Sequence, residues 1–296
     1  MAEKKILRAD GTPVDSKPAA KETAAEAPAK PAEKKVKKAE STVTAAKPAA
    51  PAKEGDATKL RIGAIALWVA AIVFEVLAVL IVFGKIAITA IPTIALIIIA
   101  LVLDLACVSV GSTLWKKANH IDPASKENKV KFWLWNNMGL IVTAFAFIPF
   151  IILTLTNKNA DKKTKTIATV VAVIALLIGG LIGYEWNPIS LEEKNDATTV
   201  LGTQEVYWTK YGKVYHTSSE CGHLNNSDTI YQDTVDKAIE ANKVRLCKDC
   251  AKRDNIEIDE DGYVQNKGIE AEADTDVNLE LPLIDETAEA EENEAA

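Results

Sequence analysis

The chain has 296 residues, a net charge of −7, 48% hydrophobic residues and four cysteines. These averages describe no part of it, because a basic polar start and an acidic end flank an almost purely apolar middle third. The apolar middle overrides the length-based expectation of two soluble domains.

Residues 1–61 are rich in Ala, Lys and Pro and carry an excess of about five positive charges. The first apolar run begins near Ile62, beyond the usual ~15–30 residues of a secretory signal. Residues 1–58 offer too little apolar surface to offset ordering entropy, so a disordered tail is expected. Its basic charge suits anionic lipid head groups, with nucleic acid as the alternative partner.

Four membrane spans are expected next, over residues 62–83, 88–114, 132–155 and 167–184. The first, at about 33 Å as a helix, matches a hydrocarbon core of about 30 Å. Gly84 and Lys85 leave room only for a tight turn before the second span, which has Pro92 near its start; Pro149 lies within the third. Trp115, Trp133, Trp135, Tyr184 and Trp186 mark span ends, as interfacial aromatic belts do.

Four spans put both termini on one side. Lys59 and Arg61 precede the first span, and Lys116, Lys117, Lys126, Lys129 and Lys131 fill the loop after the second. The positive-inside bias makes both termini cytoplasmic in a multi-pass cell-membrane protein, although four lysines in the 157–166 loop oppose it in part. Gly179 and Gly183 form a Gly-x-x-x-Gly step, which suits helix packing or a homo-oligomer seam through span four. Glu75 and Asp104 fall inside the first two spans. Intramembrane carboxylates suggest proton or cation handling, as in a small channel or transporter subunit; structural bonding to each other or to Thr89, Ser109 or Thr143 is the alternative.

Beyond Trp186 the chain has about 26 acidic against 10 basic residues. Residues 187–204 read as a polar linker, 205–253 as a compact module and 254–296 as an acidic, mostly disordered tail. Asp261-Gly262 reads as a hairpin turn rather than a calcium loop. In the module, Val206–Thr209 and Lys213–Thr217 are β-branched and aromatic around Tyr211-Gly212, a hairpin pattern. Residues 233–241 read as a short helix with Asp233 as its N-cap. Three cysteines cluster here, and an odd set cannot close into disulfides. His216, Cys221, Cys247 and Cys250 supply the four borderline-soft ligands that tetrahedral Zn²⁺ takes from two short segments. His223, in a loop after Gly222, is the alternative to His216. Cys107, in an apolar run, reads as a buried thiol.

The run Val206-Tyr-x-Thr-x-x-Gly-x-x-Tyr-His216, then Cys221, a helix containing Ala238 and Cys247-x-x-Cys250 resembles the Ada-like metal-binding modules. These are found alone or fused to many bacterial proteins. The resemblance covers about 50 residues and implies a bacterial chain in which those four residues bind zinc. It does not imply alkyl transfer, because the repair domain is absent from this sequence.

The expected fold class is therefore an α-helical membrane protein with four transmembrane helices, a small α+β zinc module and disordered tails. A full ligand set leaves no open coordination position, so the metal reads as structural and the chain as non-enzymatic. The expected partners are the bilayer and a protein or nucleic acid recognised by the module. A zinc-thiolate sensor of alkylation or redox state is the rival. Residues 200–255 alone are expected to fold only with zinc, since so small a core cannot offset backbone entropy.

Overall fold

Four long helices carry the architecture of the computed structural model, which describes residues 5–14, 54–88 and 90–266. They are α1 (Glu54–Val82), α2 (Thr93–Ile121), α4 (Met138–Thr156) and α5 (Lys162–Gly183), and each is long and apolar enough to cross a membrane. Their outward faces are apolar: Ile65, Val69, Ile72, Phe145, Leu177 and Leu181 are each at least half exposed. So broad an apolar surface is foreign to water-facing helices.

Small residues line much of the inward faces. Ala57, Ala64, Ala71 and Ala78, spaced seven apart on α1, are all fully buried. A Cβ on Gly111 of α2 would come within 2.7 Å of the Trp68 ring and 3.1 Å of the Ala64 carbonyl, so α1 and α2 approach closely. The Gly-x-x-x-Gly step on α5 packs within the chain. A Cβ on Gly183 would sit 2.6 Å from the Gly139 backbone of α4, and one on Gly179 would sit 2.8 Å from Thr143. Buried Phe147 and Phe150 fill the remaining centre.

Element boundaries depart from expectation where side chains compete with the helix ladder. The second span starts at Thr93 rather than 88, because Pro92, extended at ψ 137°, occupies the N-cap. It then runs on to Ile121, past Trp115. The expected third span is two helices. The short α3 (Lys129–Asn136) ends where Asn136 and Asn137 each donate back to a carbonyl four residues earlier, Phe132 and Trp133, at 3.0 Å. The spanning helix then begins at Met138.

All four helices bring the chain back to the same end. There Arg61, at the start of the first apolar run, pairs with Asp122 at 2.6 Å and lies over Trp115 and Trp135. The segment expected as a polar linker folds here too. Residues 191–201 form α6 (Leu191–Leu201), whose Ser190 and Glu193 make a reciprocal capping box. Ile189, Ala197 and Leu201 enter the module core with Trp208, Tyr215, Leu224 and Ile230.

The module has two small sheets. Strands β1 (Lys5–Leu7), β4 (Thr229–Asp233) and β2 (Val206–Trp208) form the first, in the order β1-β4-β2. Strands β3 (Val214–Tyr215) and β5 (Arg245–Leu246) form the second, in parallel. The expected hairpin survives as one antiparallel bridge, Tyr207 to His216, with both hydrogen bonds at 2.7 Å. β2 otherwise pairs with β4, which sequence reading missed. The helix expected over 233–241 is α7 (Val235–Glu240), with Thr234 rather than Asp233 at the N-cap position and no side-chain capping bond. Helix α8 (Lys248–Asp254) follows β5.

Two corrections concern the tails. Lys5–Leu7, expected to be disordered, pairs parallel to β4 through Ile6 and Ile230. Residues 54–58, also placed in that tail, are the first turn of α1. At the other end, 254–265 belongs to the module: Val264 is buried, Ile256 and Ile258 pack on the core, and Ile258 bridges Val264 around Gly262 at φ +96°. The expectation of disorder for residues 15–53 and from 267 onward lies outside the described residues, as does Thr89.

Candidate metal centre

Three local structures deliver the four ligands. His216 leaves β3 with its backbone locked to Tyr207. Cys221 opens a single 3-10 turn (Gly222–Leu224), with its carbonyl accepting from Leu224 N at 2.9 Å. Cys247 is the N-cap of α8, and its N–H donates to the Tyr215 carbonyl at 2.9 Å, which ties the second knuckle to the strand preceding His216. Cys250 lies one helical turn further on, so the Cys-x-x-Cys spacing turns both thiols to one side.

The result is a buried cluster. The ligand atoms of His216, Cys221, Cys247 and Cys250 all lie within 4.8 Å of one another, and the four could hold a metal ion. Cys250 Sγ is 3.8 Å from His216 Nδ1. Burial, reinforced by nearby His223, pulls the His216 imidazole down to about 4, so it stands neutral with a lone pair available. Burial above all, with the adjoining Cys250 and Cys247 thiols adding to it, pushes the Cys221 thiol up to about 11. A metal entering here would displace that proton.

His223, the alternative ligand, is more than half exposed and pairs with Asp249 at 2.7 Å. His223 and Asp249 can also approach Cys247 as a group of three, but both are exposed while the Cys3His set is buried throughout. Around the cluster, Arg253 donates to Thr217 Oγ1 at 2.8 Å and pairs with Asp254 at 2.6 Å, holding the Asp254 carboxyl below its ordinary range. Lys243 ties down the preceding turn by donating to the Lys210 and Gly212 carbonyls.

The module meets the helical bundle through a polar layer. Lys126 pairs with Glu193 at 2.7 Å, Ser125 donates to Glu192 at 2.5 Å, and Lys194 donates to the Ile121 carbonyl at 2.6 Å while facing Asp236 of α7 at 3.7 Å. Buried His120 and Glu185 stand 3.8 Å apart in the same layer. Sequence reading missed this junction; the Ser190-x-x-Glu193 capping pattern was its available signal.

Comparison with known proteins yields no match: no family model, no curated protein and no solved structure is similar to this chain. The Ada-like resemblance therefore rests on the residues quoted for it.

Proposed function

We propose that the chain is a multi-pass membrane protein that holds a structural zinc module at the cytoplasmic face of the cell membrane for recognition of a partner. The convergence of four buried His and Cys ligand atoms within 4.8 Å carries this reading. Zinc suits the donor set, because a set of three thiolates and one imidazole favours it among common divalent ions. Bilayer placement is supported by the four apolar helices and the Arg61–Trp115–Trp135 cluster at their shared end. Cytoplasmic orientation rests on the lysine bias.

A protein partner is favoured over nucleic acid. Residues 187–265 carry 15 Asp and Glu against 9 Lys and Arg, and an acidic surface repels phosphate backbones. The test is metal analysis of the purified full-length chain, which should contain one zinc per chain. The Cys250→Ser variant should lose it, and His223→Ala should keep it. A chain that holds no zinc, or that loses it only with His223→Ala, overturns the assignment of the centre.

A further inference from the structure

Asp104 lies near the middle of α2, on the buried stripe that includes Leu101 and Val108. Its side chain is fully buried, and neither carboxylate oxygen has a hydrogen-bond partner. An ionised carboxylate bare of partners in apolar surroundings is among the least favourable arrangements in protein chemistry.

The hydroxyls that could relieve it are turned elsewhere. Thr143 Oγ1 donates to the Gly139 carbonyl and Ser112 Oγ to the Val108 carbonyl, both at 2.7 Å, while the buried Ser109 hydroxyl meets no partner. The structural bonding of Asp104 to Thr143 or Ser109 is therefore not formed. Among the described residues no basic side chain offsets the charge either. Helix α4 contains no ionisable residue, and α5 has only Lys162, Lys163 and Lys165 at its start. On α1, which packs along α2, the mid-helix ionisable group is another acid, half-buried Glu75, and on α2 itself the nearest titratable neighbour is Cys107.

We propose that Asp104 and Glu75 form an intramembrane site for one positive charge, supplied as a proton or as an alkali metal ion. Two acids on adjoining helices, one wholly buried and unpartnered, acquire in this way the counter-charge that the bundle does not provide. The inference rests on the four helices spanning a bilayer and is independent of the zinc module.

The test uses the full-length chain in phosphatidylcholine liposomes and dicyclohexylcarbodiimide, a lipid-soluble reagent that marks protonated carboxyls. Marked fragments are read by mass spectrometry. Resistance of the liposome-bound protein to alkaline carbonate checks the bilayer placement separately; protein that washes off overturns that placement and this site with it. In retained protein, Asp104 should be marked, and Asp104→Asn should remove the mark. With a proton as ligand, marking slows several-fold as the pH is raised, equally in sodium and choline. With an alkali ion as ligand, sodium or potassium slows it several-fold at constant pH. Glu75→Gln should shift whichever dependence is seen by several-fold. The site is refuted if Asp104 stays unmarked in retained protein, if neither pH nor alkali ion changes the rate, or if Glu75→Gln leaves the dependence unaltered.

Discussion

The bundle and the module solve the same packing problem with opposite materials. In the bundle, backbones meet over Ala64, Ala71, Ala172, Gly139 and Gly183, and many large apolar side chains point outward while Phe147, Phe150, Ile97 and Leu101 fill the centre. In the module the large residues point inward: Trp208, Tyr215, Leu224 and Ile239 are buried around three thiols and an imidazole. Helices in a bilayer gain nothing from hiding Leu or Ile from lipid, so close backbone approach is what holds them together. A small water-facing domain must bury what it can, and under the proposed function a metal would supply what its core lacks.

The contrast breaks most cleanly at the ligands. Replacing Cys247 or Cys250 by Ser should remove the metal and unfold the module, a loss on the order of 10 kcal/mol. Amide dispersion of module residues should collapse while the helical circular dichroism of the bundle persists. Loss of both together would mean that the two regions fold as one unit.

Packing is the next lever. Gly183→Leu forces a side chain into the Gly139 backbone, where even a Cβ would be 2.6 Å away. It should destabilise the bundle by about 1–3 kcal/mol, read as a lower melting temperature in detergent, with zinc content unchanged.

Acidification should act on the module through its thiols. With the Cys221 thiol held near 11, metal binding must expel its proton, so affinity falls as pH falls, by at least about tenfold per pH unit below neutral. His216 adds no proton competition until pH approaches about 4. Competition with a chromophoric chelator across pH 6 to 8 measures the slope, on the order of one or more protons per metal. A flat profile would mean that the thiols are already ionised without metal.

The smallest effect is expected at the capping box. Ser190→Ala should cost about 1 kcal/mol and loosen α6, seen as faster amide exchange at Glu193, whose N–H the Ser190 hydroxyl accepts at 3.2 Å.

Local chemistry was legible in the sequence where one residue's neighbours along the chain determine its environment. Apolar runs announced the four long helices, and His216, Cys221, Cys247 and Cys250 stood out by residue type and spacing. Features that depend on distant partners did not. Helix α6 is polar along most of its length, and only its cap and the contacts of Ala197 and Leu201 reveal it. Strand β1 has three residues and a partner more than 220 positions away, so no local window could detect it. The 256–264 segment was hidden by the acidic composition around it, although Ile256, Ile258 and Val264 are its packing residues. A fragment spanning only 200–255 therefore lacks Ile189, Ala197 and Val264, which are buried in the module core, and is too short to test its folding.

Strand β1 also sets an order of events during synthesis. Lys5–Leu7 is made before the four long helices, yet Thr229–Tyr231, the residues it pairs with, are made only after them. At about 5–20 residues per second, the first strand waits roughly 10–45 s for its partner. Pairing of β1 with β4 is therefore a late step, and it joins a strand made before the bundle to a domain made after it only once the bundle between them has been translated.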